Sequence, residues 1–288
     1  MMAGATGSAD VVVEPFFLDA PAGRLFVVHH RPFDAASIRG HVLCVPPFNE
    51  EMNRSRSMMT RQAQALGALG FGTLIVDVHG TGDSEGDYCD ARWDIWLDDI
   101  RAALRWVMTQ PCGLSAILGV RLGALLATQI HAELGQPGVA LVLWQPVLDG
   151  KVHLTQFFRV RMAAQLDRPD LPKETAASMR QQLASGQSVE VAGYEIHPEL
   201  AKAIDEERLI GYQMAKGSPV LWLENASQDQ PEISLPSKNA LLVWENSGVI
   251  VDAFTYLGPA FWQVHERVVA STLIERTSAW ISAKVLAK

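Results

Sequence analysis

Three cysteines are all that this chain of 288 residues contains, Cys44, Cys89 and Cys112. An odd number without C-x-x-C spacing argues against a disulfide framework or a thiolate metal site, so reduced and mostly buried thiols are expected. Excess positive charge is missing too. A formal net charge of −8 leaves no basic footprint for nucleic acid and only weak attraction to anionic lipid. No uninterrupted apolar run approaches the roughly 20 residues that a membrane-crossing helix needs. The opening MMAGATGSAD lacks the basic and apolar regions of a secretory signal, which gives the cytoplasm as the expected location. Internal repeats and low-complexity tracts are absent. The glycine-rich stretch His79–Gly86 has neither the G-x-x-x-x-G-K-[ST] lysine nor the G-x-G-x-x-G order of a phosphate cradle, so a turn packed beside the site is expected there. Asp83, Glu85, Asp87 and Asp90 depart from calcium-loop spacing, so no metal and no cofactor are expected.

What is present is core material: 48% of the residues are hydrophobic and 19% charged, the balance of a globular protein. Two β-rich runs, Val11–Phe17 and Arg24–His30, flank a Pro/Gly turn and predict an opening antiparallel hairpin. His41–Val45 predicts a strand that Pro46-Pro47 stops. A polar loop, Phe48–Arg54, then leads to a helix over Ser57–Leu69 with Gly70 as its stop. Gly72–Val78 reads as a buried parallel strand. Asp90 is the expected cap of a helix that buries Trp93, Trp96, Leu97, Ile100 and Leu104 at helical spacing. Val139–Trp144, Pro219–Glu224 and Gly248–Tyr256 continue the sheet, with helices over Pro236–Asn246 and from about Arg267 to Lys284. The alternation predicts an α/β fold with a mostly parallel, doubly wound sheet. Residues 1–149 and 218–288 form its core. Residues 150–217, with amphipathic stretches at His153–Leu166, Lys173–Ala184 and Pro198–Ile210 around a small β-like piece, are expected as a helical cap insertion over the carboxyl ends of the strands.

The sharpest local signal is Leu114–Ala127, LSAILGVRLGALLA. An apolar run ends at Gly119-Val-Arg-Leu-Gly123 and passes at once into an Ala/Leu helix, the strand-to-helix turn of a G-x-S-x-G nucleophile elbow. Here the middle residue is Arg121. A guanidinium stays protonated and cannot attack a carbonyl. Neither Cys44, expected inside a strand, nor Cys89, with no histidine near it in sequence, offers a replacement nucleophile.

The order strand, elbow, helix, cap, acidic loop, late histidine resembles the α/β-hydrolase superfamily. More narrowly, Pro46–Arg56, Asp77–Asp99, Gly119–Ala124 and Trp144–Gly150 resemble the exosortase A system-associated hydrolase 2 family, densely in the first half of the chain and loosely in the second. The resemblance implies an α/β-hydrolase fold and a cytoplasmic protein linked to bacterial exopolysaccharide production and the sorting of surface proteins. It does not by itself establish hydrolysis.

Hydrolases of this fold carry nucleophile, acid and histidine in that order along the chain. Arg121 takes the first place, Asp229 is the candidate acid with Glu224 competing, and His265 is the candidate base. Oxyanion donors are expected from Leu122 and from Phe48 or Asn49, because Pro46 and Pro47 have no N–H. Glu50 and Glu51 are expected to face the elbow. Two arrangements follow: a bidentate pair of Arg121 with Glu50 or Glu51 that closes the site, or an anion site built from Arg121 and the helix N-terminus. Three roles remain open: binding of a small anionic ligand or a partner without serine chemistry, atypical ester or acyl hydrolysis through His265 and Asp229 with Arg121 as electrostatic stabiliser, and scaffolding.

Overall fold

The computed structural model describes residues 11–164, 173–228 and 231–286. Strand β1 (Val11–Ala20) and β2 (Gly23–Pro32) form the expected hairpin, paired from Val11–Pro32 to Ala20–Gly23. Then follow β3 (Gly40–Val45), α1 (Glu50–Ala68), β4 (Phe71–Val76), α2 (Trp93–Thr109), β5 (Leu114–Val120), α3 (Gly123–Leu134) and β6 (Ala140–Trp144). Residues 150–217 hold α4 (Gly150–Ala164), α5 (Ala176–Ala184), the hairpin β7 (Val189–Val191) and β8 (Tyr194–Ile196), and α6 (Pro198–Glu206). The chain closes with β9 (Pro219–Ala226), α7 (Leu235–Asn246), β10 (Ile250–Leu257) and α8 (Ser271–Leu286).

The large sheet runs β1-β2-β4-β3-β5-β6-β9-β10. Strand β2 is antiparallel to β4, and every pair from β4 to β10 is parallel. Every residue of β3, β4 and β6 is buried, as parallel strands must be when helices cover both faces. One face carries Met58, Met59, Ala63 and Leu66 of α1 with Leu273 and Ile281 of α8. The other carries α2, α3 and α7, and there the aromatic stripe of α2 is core: Trp93, Trp96, Leu97, Ile100 and Leu104 are all buried. No helix among the described residues is long and apolar enough to cross a membrane.

Three local expectations are corrected. The polar stretch after Phe48 is helical from Glu50, because two carboxylates in a first turn complement the unsatisfied N–H groups of the helix start. Asp90 ends a short 3-10 turn, Tyr88–Asp90, and α2 starts after Arg92, whose side chain makes no capping bond. The thiols are not mostly buried: Cys44 is, its thiol pushed up to about 12 by burial, whereas Cys112 is exposed and Cys89 half-buried. The glycine loop is a turn wrapped on Asp77, which pairs with Arg56 at 2.8 Å and accepts the Asp83 N–H.

Candidate active site

Strand β5 delivers Arg121 to the carboxyl edge of the sheet. Its backbone is left-handed, φ 54°, a conformation that costs a branched or long side chain on the order of 1 kcal/mol. Hydrogen bonds on both sides hold it there: the Arg121 N–H donates to Trp144 O at 3.0 Å, and Arg121 O accepts from Ala124 N at 3.0 Å and Val147 N at 3.2 Å. The flanking glycines serve close approach rather than unusual φ. A Cβ on Gly123 would stand 2.2 Å from Pro46 O, and one on Gly119 would stand 2.7 Å from the Ala127 Cβ.

Of the two glutamates expected to face the elbow, Glu51 meets Arg121. The guanidinium Nε donates to both Glu51 oxygens at 3.2 Å, one terminal nitrogen donates to Oε1 at 3.1 Å, and the other donates to Gln145 O at 3.2 Å. Three of its five N–H groups are thereby used. The side chain is 13% exposed, and its cation lies 5.2 Å above the ring of Trp262. Burial lifts the Glu51 carboxyl above its usual range, against the opposing pull of Arg121 and, more weakly, Arg54. Glu50 stands one position away and points elsewhere, bonding Tyr194 and Asn53.

Arg121 and Glu51 border a cavity of about 260 Å³. Phe48, Glu50 and Arg54 line it from the β3 end and α1, His153 and Phe157 from α4, and Trp262 from the last loop. His153 is 6% exposed, edge-on to Phe48 at 5.8 Å, with neither ring nitrogen hydrogen-bonded. Burial, then the Arg121 charge, pushes its pKa down to about 3, so the ring is neutral near pH 7. Two arginines and two glutamates make the cavity wall formally neutral.

The remaining expected residues fall as follows. Leu122 caps α3 and, with Phe48, Asn49 and both prolines, borders a second cavity of only about 20 Å³, room for one water. His265 is exposed, its ring 3.4 Å from Arg54, in an open groove of about 620 Å³ with Arg56, Arg61 and Arg267. Arg121 is not among that groove's lining residues. Glu224 is buried in β9, one carboxylate oxygen without a partner. Asp229 lies outside the described residues. Sequence reasoning missed His153, Trp262 and Gln145 as neighbours of the elbow. His153 has only its place at the start of an amphipathic helix, and Trp262 only its place in the loop that carries the late histidine.

The sheet order, the elbow after the fifth strand and the helices on both faces define an α/β-hydrolase fold. A family model described as serine aminopeptidase, S33, matches residues 36–220, and the chain belongs to that family. Among solved structures it is similar to Est1E from Butyrivibrio proteoclasticus with ferulic acid bound, at 13% identity over 94% of this chain and 98% of that one, TM-score 0.61. It is also similar to the esterase domain of a Rhodothermus marinus protein, at 17% identity over 95% and 99%, TM-score 0.58. An α/β serine hydrolase homologue from Coxiella burnetii gives 18% identity over 94% and 96%, TM-score 0.52. At these identities the likeness is one of fold. No curated protein matches the chain.

Proposed function

We propose that this family member binds a compact anionic ligand at the elbow and does no serine-hydrolase chemistry. The observation that carries the reading is Arg121 at the apex, held by Glu51 and Gln145 with two guanidinium N–H groups left without an acceptor among the described residues. One is left on each terminal nitrogen, and a guanidinium with two spare donors suits a carboxylate or another oxyanion. Glu51 already neutralises Arg121, so an arriving anion is accommodated by Arg54 on the same wall and by proton uptake at Glu51, whose carboxyl burial has already lifted. Residues 150–217 act as a cap, supplying His153, Phe157 and Ala192 to the cavity. The setting proposed for this binding, which the resemblance noted above supports, is the cytoplasm of a bacterium with an exopolysaccharide and surface-protein sorting system.

The competing role, hydrolysis with His265 as base and Asp229 orienting it, has less support. His265 is exposed beside Arg54 and does not line the elbow cavity, and the imidazole that does, His153, has no carboxylate hydrogen-bonded to orient it. The test is incubation with a fluorophosphonate probe and with p-nitrophenyl acetate. No labelling and no turnover above buffer are expected. Turnover that Arg121→Ala abolishes, or that His265→Ala abolishes, would overturn the proposal.

A further inference from the structure

An imidazole sealed from water with both nitrogens idle is uncommon, because a buried polar group without a partner forfeits the hydrogen bonds it had in water. His153 is in that state: 6% exposed, neither nitrogen bonded, and lining the elbow cavity. Its ring is held in place edge-on to Phe48 at 5.8 Å. The charged groups on the same wall come from other elements: Arg121 from the elbow, and Glu50, Glu51 and Arg54 from α1. A neutral imidazole offers one donor and one acceptor. A hydroxyl is the smallest ligand group that can meet either, while a second carboxylate could use the donor alone.

We propose that His153 is the specificity-determining residue of this cavity, and that the cavity takes a small hydroxy acid with an aryl or short alkyl body. The carboxylate sits on the spare donors of Arg121, the hydroxyl on His153, and the apolar body against Phe48, Phe157 and Trp262. A volume of about 260 Å³ lies below the roughly 300 Å³ at which drug-sized sites begin, which limits the body to about one ring. This inference rests on the anion-binding role proposed above and adds to it the class of ligand.

Calorimetric titration of the full chain with mandelate and with phenylacetate, which differ by one hydroxyl, tests it. The wild type is expected to bind one mandelate enantiomer about five- to tenfold more tightly than phenylacetate, the worth of one good hydrogen bond. His153→Phe is expected to erase that preference while phenylacetate affinity stays within about twofold. If that variant fails to fold, ¹⁵N-detected imidazole signals of the wild type decide, because mandelate should move those of His153 and phenylacetate should leave them. Equal affinities, a preference that survives His153→Phe, or unmoved His153 signals overturn the inference and leave the anion-binding role standing. Absence of binding by either acid overturns both.

Discussion

Arg121 and Glu51 are each too little exposed for water to solvate them fully, so removing one strands the other. Arg121→Met is expected to lower unfolding free energy by about 2 kcal/mol, a partly buried pair being worth less than a fully buried one. Adding Glu51→Leu should recover more than half of the loss, measured as a double-mutant cycle in urea. Little recovery would mean that the contact of Arg121 with Trp262, not its pairing with Glu51, holds the elbow side chain. A second expectation concerns chemistry at the same residue. Arg121→Ser rebuilds a G-x-S-x-G sequence, yet p-nitrophenyl acetate hydrolysis should stay at the buffer rate. A serine there meets no imidazole that a carboxylate orients: His265 stands by Arg54, and His153, in the elbow cavity, has neither ring nitrogen hydrogen-bonded. Turnover in that variant would show that His153 serves as a base without an orienting carboxylate, or that His265 reaches the elbow.

Among the elements, the absence of a side chain at Gly119 lets β5 meet α3, and its absence at Gly123 lets α3 meet the end of β3. Gly123→Ala would put a methyl 2.2 Å from Pro46 O and 2.7 Å from Val45 O, backbone atoms that cannot step aside. A loss of about 3 kcal/mol in a chemical-denaturation curve is expected; a loss under about 1 kcal/mol would mean that β3 and α3 can separate. The elbow is legible in the sequence because an apolar run, two glycines and an Ala/Leu helix follow one another within a few residues, and each part is a local signal. The centre of the sheet is legible for the same reason, β3, β4 and β6 being short, mostly apolar runs that are buried throughout. The start of α1 is not, because Glu50–Arg54 reads as polar loop until tertiary packing buries Met52 and Ser55 beneath it. Nor are His153 and Trp262. They reach Arg121 from far along the chain, through the packing of α4 and the last loop, and no spacing rule links them to it.

Across the molecule, burial among the described residues disfavours more imidazolium than carboxylate charge. His29 is pushed down to about 4 by burial and then by His41, His153 to about 3, and burial also lowers His30, His41 and His131. A histidine that is harder to protonate in the fold than in the open chain contributes stability above its unfolded pKa of about 6.5. That contribution drains away as the pH falls through 6.5 toward the folded value, by up to about 3 kcal/mol for His29. Asp99, raised to about 6 by burial, and Glu51 and Glu207, raised likewise, act with the opposite sign as the pH falls. With five imidazoles against three carboxyls, Tm should be highest at neutral pH and drop steadily between pH 6.5 and 4; a flat or rising Tm over that interval would contradict the balance. The central claim is that the cation at the elbow receives an anion, and its most direct measurement compares calorimetric binding of phenylacetate with that of its uncharged amide, phenylacetamide. Wild type should favour the acid by about tenfold or more, the worth of a charge-assisted bond over a neutral one, and Arg121→Gln should remove the difference. Equal affinity for acid and amide in the wild type would contradict the account.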